Sequence, residues 1–165
     1  MLQTLKNKIA RDRQQEEGFT LIELMVVVLI IAVLLAIAIP TFLGSQNKAK
    51  DRSAQSSLRN TLTAAKTIYT DGADYTKATA SSNAALLAAE PSLSYAVAAT
   101  ASTGPKNVST SATTNVFYAA AKSDSGTCYY IKDDLSSTGS GTTYASGTGT
   151  CNGTTAAGLT YSASW

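Results

Sequence analysis

The chain has 165 residues, 15% of them charged and 44% hydrophobic, with a formal net charge of +2, no histidine and two cysteines. A near-neutral balance without an obvious basic stripe gives no reason to expect nucleic acid as an obligatory partner, and two cysteines are too few for a structural zinc site. Without histidine the commonest general base is missing, so an enzyme is disfavoured, no catalytic residue or metal ligand can be nominated, and no cofactor is implied.

Residues 1–18, MLQTLKNKIARDRQQEEG, are polar and mixed in charge and read as a leader, not a domain. The composition then changes abruptly. From Leu24 to Ile39 the sequence is LMVVVLIIAVLLAIAI, and the apolar run extends back to Phe19 with only Thr20 and Glu23 interrupting it. That length spans a bilayer as a helix, which makes a membrane the partner the sequence announces. Pro40 lacks a backbone N–H and crowds the preceding turn, so the helix is expected to kink or loosen there, and Gly44 adds a second soft point.

The next segment is polar, but Ala54, Leu58, Leu62, Ala65 and Tyr69 recur at the spacing of one helical face. Asp71 and Gly72 supply a stop signal. Residues 20–70 are thus expected to form one bent rod, roughly 75 Å long at 1.5 Å per residue, apolar all round in its first half and amphipathic in its second.

From residue 73 the chain is rich in Ala, Ser, Thr and Gly. A short helix is expected within residues 78–90, closed by Pro91, followed by strands at 92–99, 115–122 and 127–134 and weaker ones at 142–146 and 159–163. The fold class is therefore α+β: a long helix with a small antiparallel sheet. Leu93, Val97, Val116, Phe117, Ile131 and the tyrosines are too few to build a core alone, so the amphipathic half of the helix should support the sheet. Cys128 and Cys151 lie beyond the hydrophobic segment and fit a disulfide in an exported domain, worth on the order of 3 kcal/mol; two unpaired buried thiols are the alternative.

Glu23 is the anomaly. A carboxylate in hydrocarbon costs about 2.5–3.5 kcal/mol on insertion scales, and the nearest upstream side-chain charges, Glu16 and Glu17, are repulsive. Cutting the chain after Gly18 would create a cationic α-amine on Phe19, and amine and carboxylate of neighbouring copies could neutralise each other in a helical bundle. Alternatively, Glu23 snorkels to water in a simple membrane anchor.

The segment from Gly18 to Pro40, GFTLIELMVVVLIIAVLLAIAIP, resembles the N-terminal signature of type IV pilins and the related pseudopilins. The resemblance covers roughly residues 16–45, and in the C-terminal part extends only to a cysteine pair. It implies a leader (1–18), a long helix (19–71, with 19–39 transmembrane and 40–71 amphipathic) and a globular head (72–165) made of an αβ-loop region (72–114) and a sheet with a disulfide-bounded region (115–165). It further implies that Gly18 precedes the prepilin peptidase cut and that Phe19 becomes the N-methylated terminus. Glu23 would neutralise the amine of an adjacent subunit, Pro40 would mark where the helix bends, and Cys128 and Cys151 would enclose a variable surface loop. Glu16 and Glu17 beside the cut depart from the family pattern and bear on cleavage efficiency.

The leading expectation is therefore the major structural subunit of a type IV pilus. It would be held in the cytoplasmic membrane with its head outside, then polymerised by the assembly machinery into an extracellular homopolymer serving adhesion, motility or DNA uptake. A pseudopilin of a secretion or competence system shares the motif, but the cysteines and the lack of a dense acidic loop favour a pilin. Asp133 with Asp134, or Asp71 with Asp74, are thin calcium candidates better read as surface aspartates. From a different class, Ala36-Ile37-Ala38 suits signal peptidase and would release a secreted domain starting at Ile39. The sequons at Asn107 and Asn152 are assigned no function. Orientation cannot be taken from charge, because Lys6, Lys8, Arg11 and Arg13 before the span are matched by Lys48, Lys50, Arg52 and Arg59 after it.

Overall fold

The structure is a computed structural model that describes residues 18–79 and 83–165. The leader before Gly18 lies outside the described residues. Helix α1, Leu21–Thr70, is the dominant element and keeps its helical assignment through Pro40. The described residues divide into two compact units at the Leu43/Gly44 boundary.

In the first unit every described side chain is exposed, including Leu24, Met25, Ile30 and Leu35. By length and composition this is a helix able to cross a membrane.

The second unit is a layered α+β structure. After α1 come a 3-10 turn, Tyr75–Ala78, and helix α2, Asn83–Ala89. Five strands follow: β1 Ser94–Ala96, β2 Asn107–Ala112, β3 Val116–Lys122, β4 Cys128–Asp134 and β5 Gly141–Gly147. Helix α3, Gly153–Ala157, is the last regular element. The strands lie in sequence order; β1 and β2 run parallel and every other pair is antiparallel.

The strand period of two sends alternate side chains to opposite faces, and both faces are covered. Val108, Phe117, Ala119, Ala121, Tyr129 and Ile131 share one buried cluster with Leu58, Leu62 and Ala65 of α1. Ala120, Cys128 and Tyr130 point the other way and pack with Cys151 and Ala156. The expected face of α1 is therefore the one that supports the sheet, widened by Ser57, Thr61 and Ala64.

Helix α3 approaches the sheet so closely that its first residue must be glycine. A Cβ on Gly153 would stand 2.8 Å from the carbonyl carbon of Thr110 and 2.9 Å from the nitrogen of Ser111. The Gly153 N–H donates to Ser109 Oγ at 2.9 Å, and Asn152 caps the helix by accepting from the Thr155 N–H at 2.8 Å.

The short helix expected within residues 78–90 is Asn83–Ala89, and a 3-10 turn precedes it. Three other expectations are corrected. Residues 159–163 form no strand and contribute only a bridge between Ser162 and Tyr144. Strand β2 was not anticipated, and it is the parallel partner of β1. Val97 is 45% exposed, and Val108 and Leu86 supply the aliphatic core instead.

Candidate functional site

The first turn of α1 is organised by Thr20. Its carbonyl accepts from the N–H groups of Glu23, at 3.1 Å, and Leu24, at 3.2 Å. Its hydroxyl accepts from the Glu23 N–H at 3.2 Å and donates weakly to Glu23 Oε2 at 3.4 Å. Thr20 thus caps the helix, and the pattern Thr-x-x-Glu is legible in the sequence as a capping-box signature. Glu23 lies in the first turn, where unpaired N–H groups and the helix dipole favour an anion. Neither ion pair among the described residues involves Glu23, so among those residues its partners are dipoles, not a cation.

Gly18 is not required by the fold. A Cβ added there would meet nothing within 4 Å, and the adjoining Phe19 is 85% exposed. Pro40 deprives the Ala36 carbonyl of its usual donor, and beside it the Thr41 hydroxyl donates to the Ile37 carbonyl at 2.9 Å.

Cys128 and Cys151 are both buried and stand as thiols in the structure. They share one cluster on the sheet face away from α1, close enough for a thiol–thiol hydrogen bond. Burial, and then the Cys128 contact, push the Cys151 thiol far above its ordinary range. The Cys128 thiol also donates to the Gly149 carbonyl at 3.2 Å.

The aspartates expected on the surface divide. Asp74 caps the 3-10 turn by accepting from the Thr76 N–H and hydroxyl, and this holds its carboxyl below the ordinary range. Asp133 is fully buried, which overturns the surface reading: Tyr75, Thr142 and Lys66 converge on it from three other elements. Among the described residues no three potential ligands gather as a metal site. The amide of Asn107 donates to Ser94 Oγ and that of Asn152 to the Ala99 carbonyl, so both sequon nitrogens serve the fold.

Residues 13–39 match the family described as the Prokaryotic N-terminal methylation motif. The chain is also 42% identical over 64 residues to the type IV major pilin protein PilA of Myxococcus xanthus (strain DK1622). That match takes in 39% of this chain and 29% of the relative's length. No solved structure matches. The motif and the relative together support a type IV pilin.

Proposed function

We propose that this chain acts as a pilin: a structural subunit cut after Gly18, methylated on Phe19 and polymerised through α1 into a filament. The observation that carries the proposal is the pairing of a membrane-length helix with an N-terminal methylation motif at residues 13–39. A Cβ at Gly18 meets nothing among the described residues, so a requirement for glycine there would come from a processing enzyme that reads it.

In this reading the precursor is a single-pass membrane protein with its head outside the cytoplasm. The exposed apolar surface of residues 19–43 is hidden first by lipid and then by other copies. Glu23 is prepared for the transfer by Thr20, which fixes the first turn without neutralising the carboxylate. The Phe19 amine of an adjacent copy then supplies the missing charge, and the contact is heterologous and does not close, the symmetry that yields fibres. Pro40 marks a weakened turn at which the helix can bend during packing. In an oxidising compartment Cys128 and Cys151 close into a disulfide that ties β4 to the segment leading into α3. The partners are the prepilin peptidase, the cytoplasmic membrane, the assembly machinery and further copies of the chain; no catalysis is assigned to it.

Glu23→Leu tests the assembly role. Membrane levels should equal wild type while sheared filament yield falls at least tenfold, and a normal yield would remove Glu23 from assembly.

A further inference from the structure

The second unit carries its charges unevenly along α1. At one end, Asp51 accepts hydrogen bonds from Ser123 and Ser125, which brings the β3–β4 turn against the start of the amphipathic helix. The same end holds Lys106, in a groove shared with Ser53 and Asp124, and Lys122, the last residue of β3. With Lys48, Lys50 and Arg52 of α1, five exposed cations from three separate segments lie at this end, Lys122 on the sheet face away from α1 and beside Cys151. Asp51 and Asp124 oppose them there, and the serine hydroxyls do not cancel the Asp51 charge, so the cations remain in excess by three.

Of the remaining described carboxylates of this unit, Glu90 lines a separate groove with Asn60, Thr63 and Thr67, farther along α1. Both ion pairs among the described residues, Lys66 with Asp133 and Lys132 with Asp134, lie at the other end of the unit, near Asp71 and Asp74. From Arg52 to Lys66 the helix rises about 21 Å, more than twice the Debye length of about 8 Å at physiological salt. This end therefore keeps a net positive charge.

We propose that this end docks on the anionic headgroups of a lipid bilayer. The occupant follows from the position of the cations in the sequence. Lys48 is the fifth residue after Leu43, where the exposed apolar stretch stops, and a juxtamembrane cluster of this kind is drawn to acidic lipid. Lys106 and Lys122, brought to the same end by the strands, enlarge the cluster beyond what the helix alone presents. The contact holds the subunit on the membrane before polymerisation and must be broken for extraction. The inference rests on the proposed membrane-held precursor.

The test uses the full chain in nanodiscs of phosphatidylcholine alone or with 30% phosphatidylglycerol, with lysine acylation by a water-soluble reagent followed by mass spectrometry. Lys48, Lys50, Lys106 and Lys122 should react at least threefold more slowly in the anionic discs, with Lys77 unchanged and the difference abolished by high salt. Equal rates in the two discs overturn the proposal. Protection that is the same in both discs but grows with protein concentration also overturns it, in favour of contact between copies. Failure to enter either disc refutes the membrane-held precursor itself, a result distinguishable from both.

Discussion

The Nζ of Lys66 lies 2.9 Å from Oδ1 of Asp133, a carboxylate with no solvent exposure at all. Tyr75 donates to its other oxygen at 2.6 Å and Thr142 to Oδ1, so one side chain joins α1, the 3-10 turn, β4 and β5. Burial favours the neutral acid, but the hydrogen bonds from Thr142, Tyr75 and Lys66 outweigh it and hold the carboxyl below the ordinary range. A depressed pKa stabilises the fold above the unfolded value of about 3.9, and the contribution is lost as pH falls through the lower folded value. Asp133→Asn should therefore lower stability at pH 7 by about 1–3 kcal/mol. Thermal unfolding in detergent should show the wild-type advantage shrinking below pH 4; an advantage unchanged down to pH 2 would contradict this.

Gly153 and Gly149 make a matched pair. A Cβ at Gly153 collides with the backbone of β2, whereas one at Gly149 meets nothing within 4 Å. Gly153→Ala should cost about 1–3 kcal/mol, as overpacking does, and Gly149→Ala should be close to neutral. Urea unfolding of the two variants side by side measures the difference.

Trp165 closes the helix-facing side of the sheet. Its Nε1–H is shared between the carbonyls of Tyr130, at 3.1 Å, and Ala145, at 3.0 Å. Its ring packs on Tyr144, 4.4 Å between centroids, and the Arg59 guanidinium lies 4.8 Å from its centroid. Trp165→Phe keeps most of the packing and loses the hydrogen bond, about 1 kcal/mol; Trp165→Ala loses both and should cost at least twice as much. Equal melting temperatures for the two variants would show that the ring contributes nothing beyond its N–H.

Cys128 and Cys151 yield a redox prediction. Protein from the outside of the cell, denatured under alkylating conditions, should react with no thiol reagent, and reduction should lower its stability by about 3 kcal/mol. Two thiols titrating in the unreduced, denatured protein would show that the buried pair stays open.

The helix was legible because its determinants are local. Leu58, Leu62 and Ala65 lie on one face whatever the rest of the chain does, and all three are buried. Thr20 and Glu23 were equally legible as a helix start. Strand β2, NVSTSA, was not, because Val108 is its only large apolar residue and its burial comes from neighbours on both sides. Asp133 was misread for a related reason: aspartate is usually exposed, and Tyr75, the hydroxyl that buries it, is 58 positions away. Spacing along the chain carries no trace of such a contact.

The central claim, that the chain is processed as a pilin, meets its most direct test in the intact mass and N-terminal sequence of the protein from its native cell. The account predicts a chain beginning at Phe19, one methyl group heavier than the unmodified residue. A chain beginning at Ile39 would contradict it, placing Glu23 in a discarded signal peptide and leaving a secreted domain.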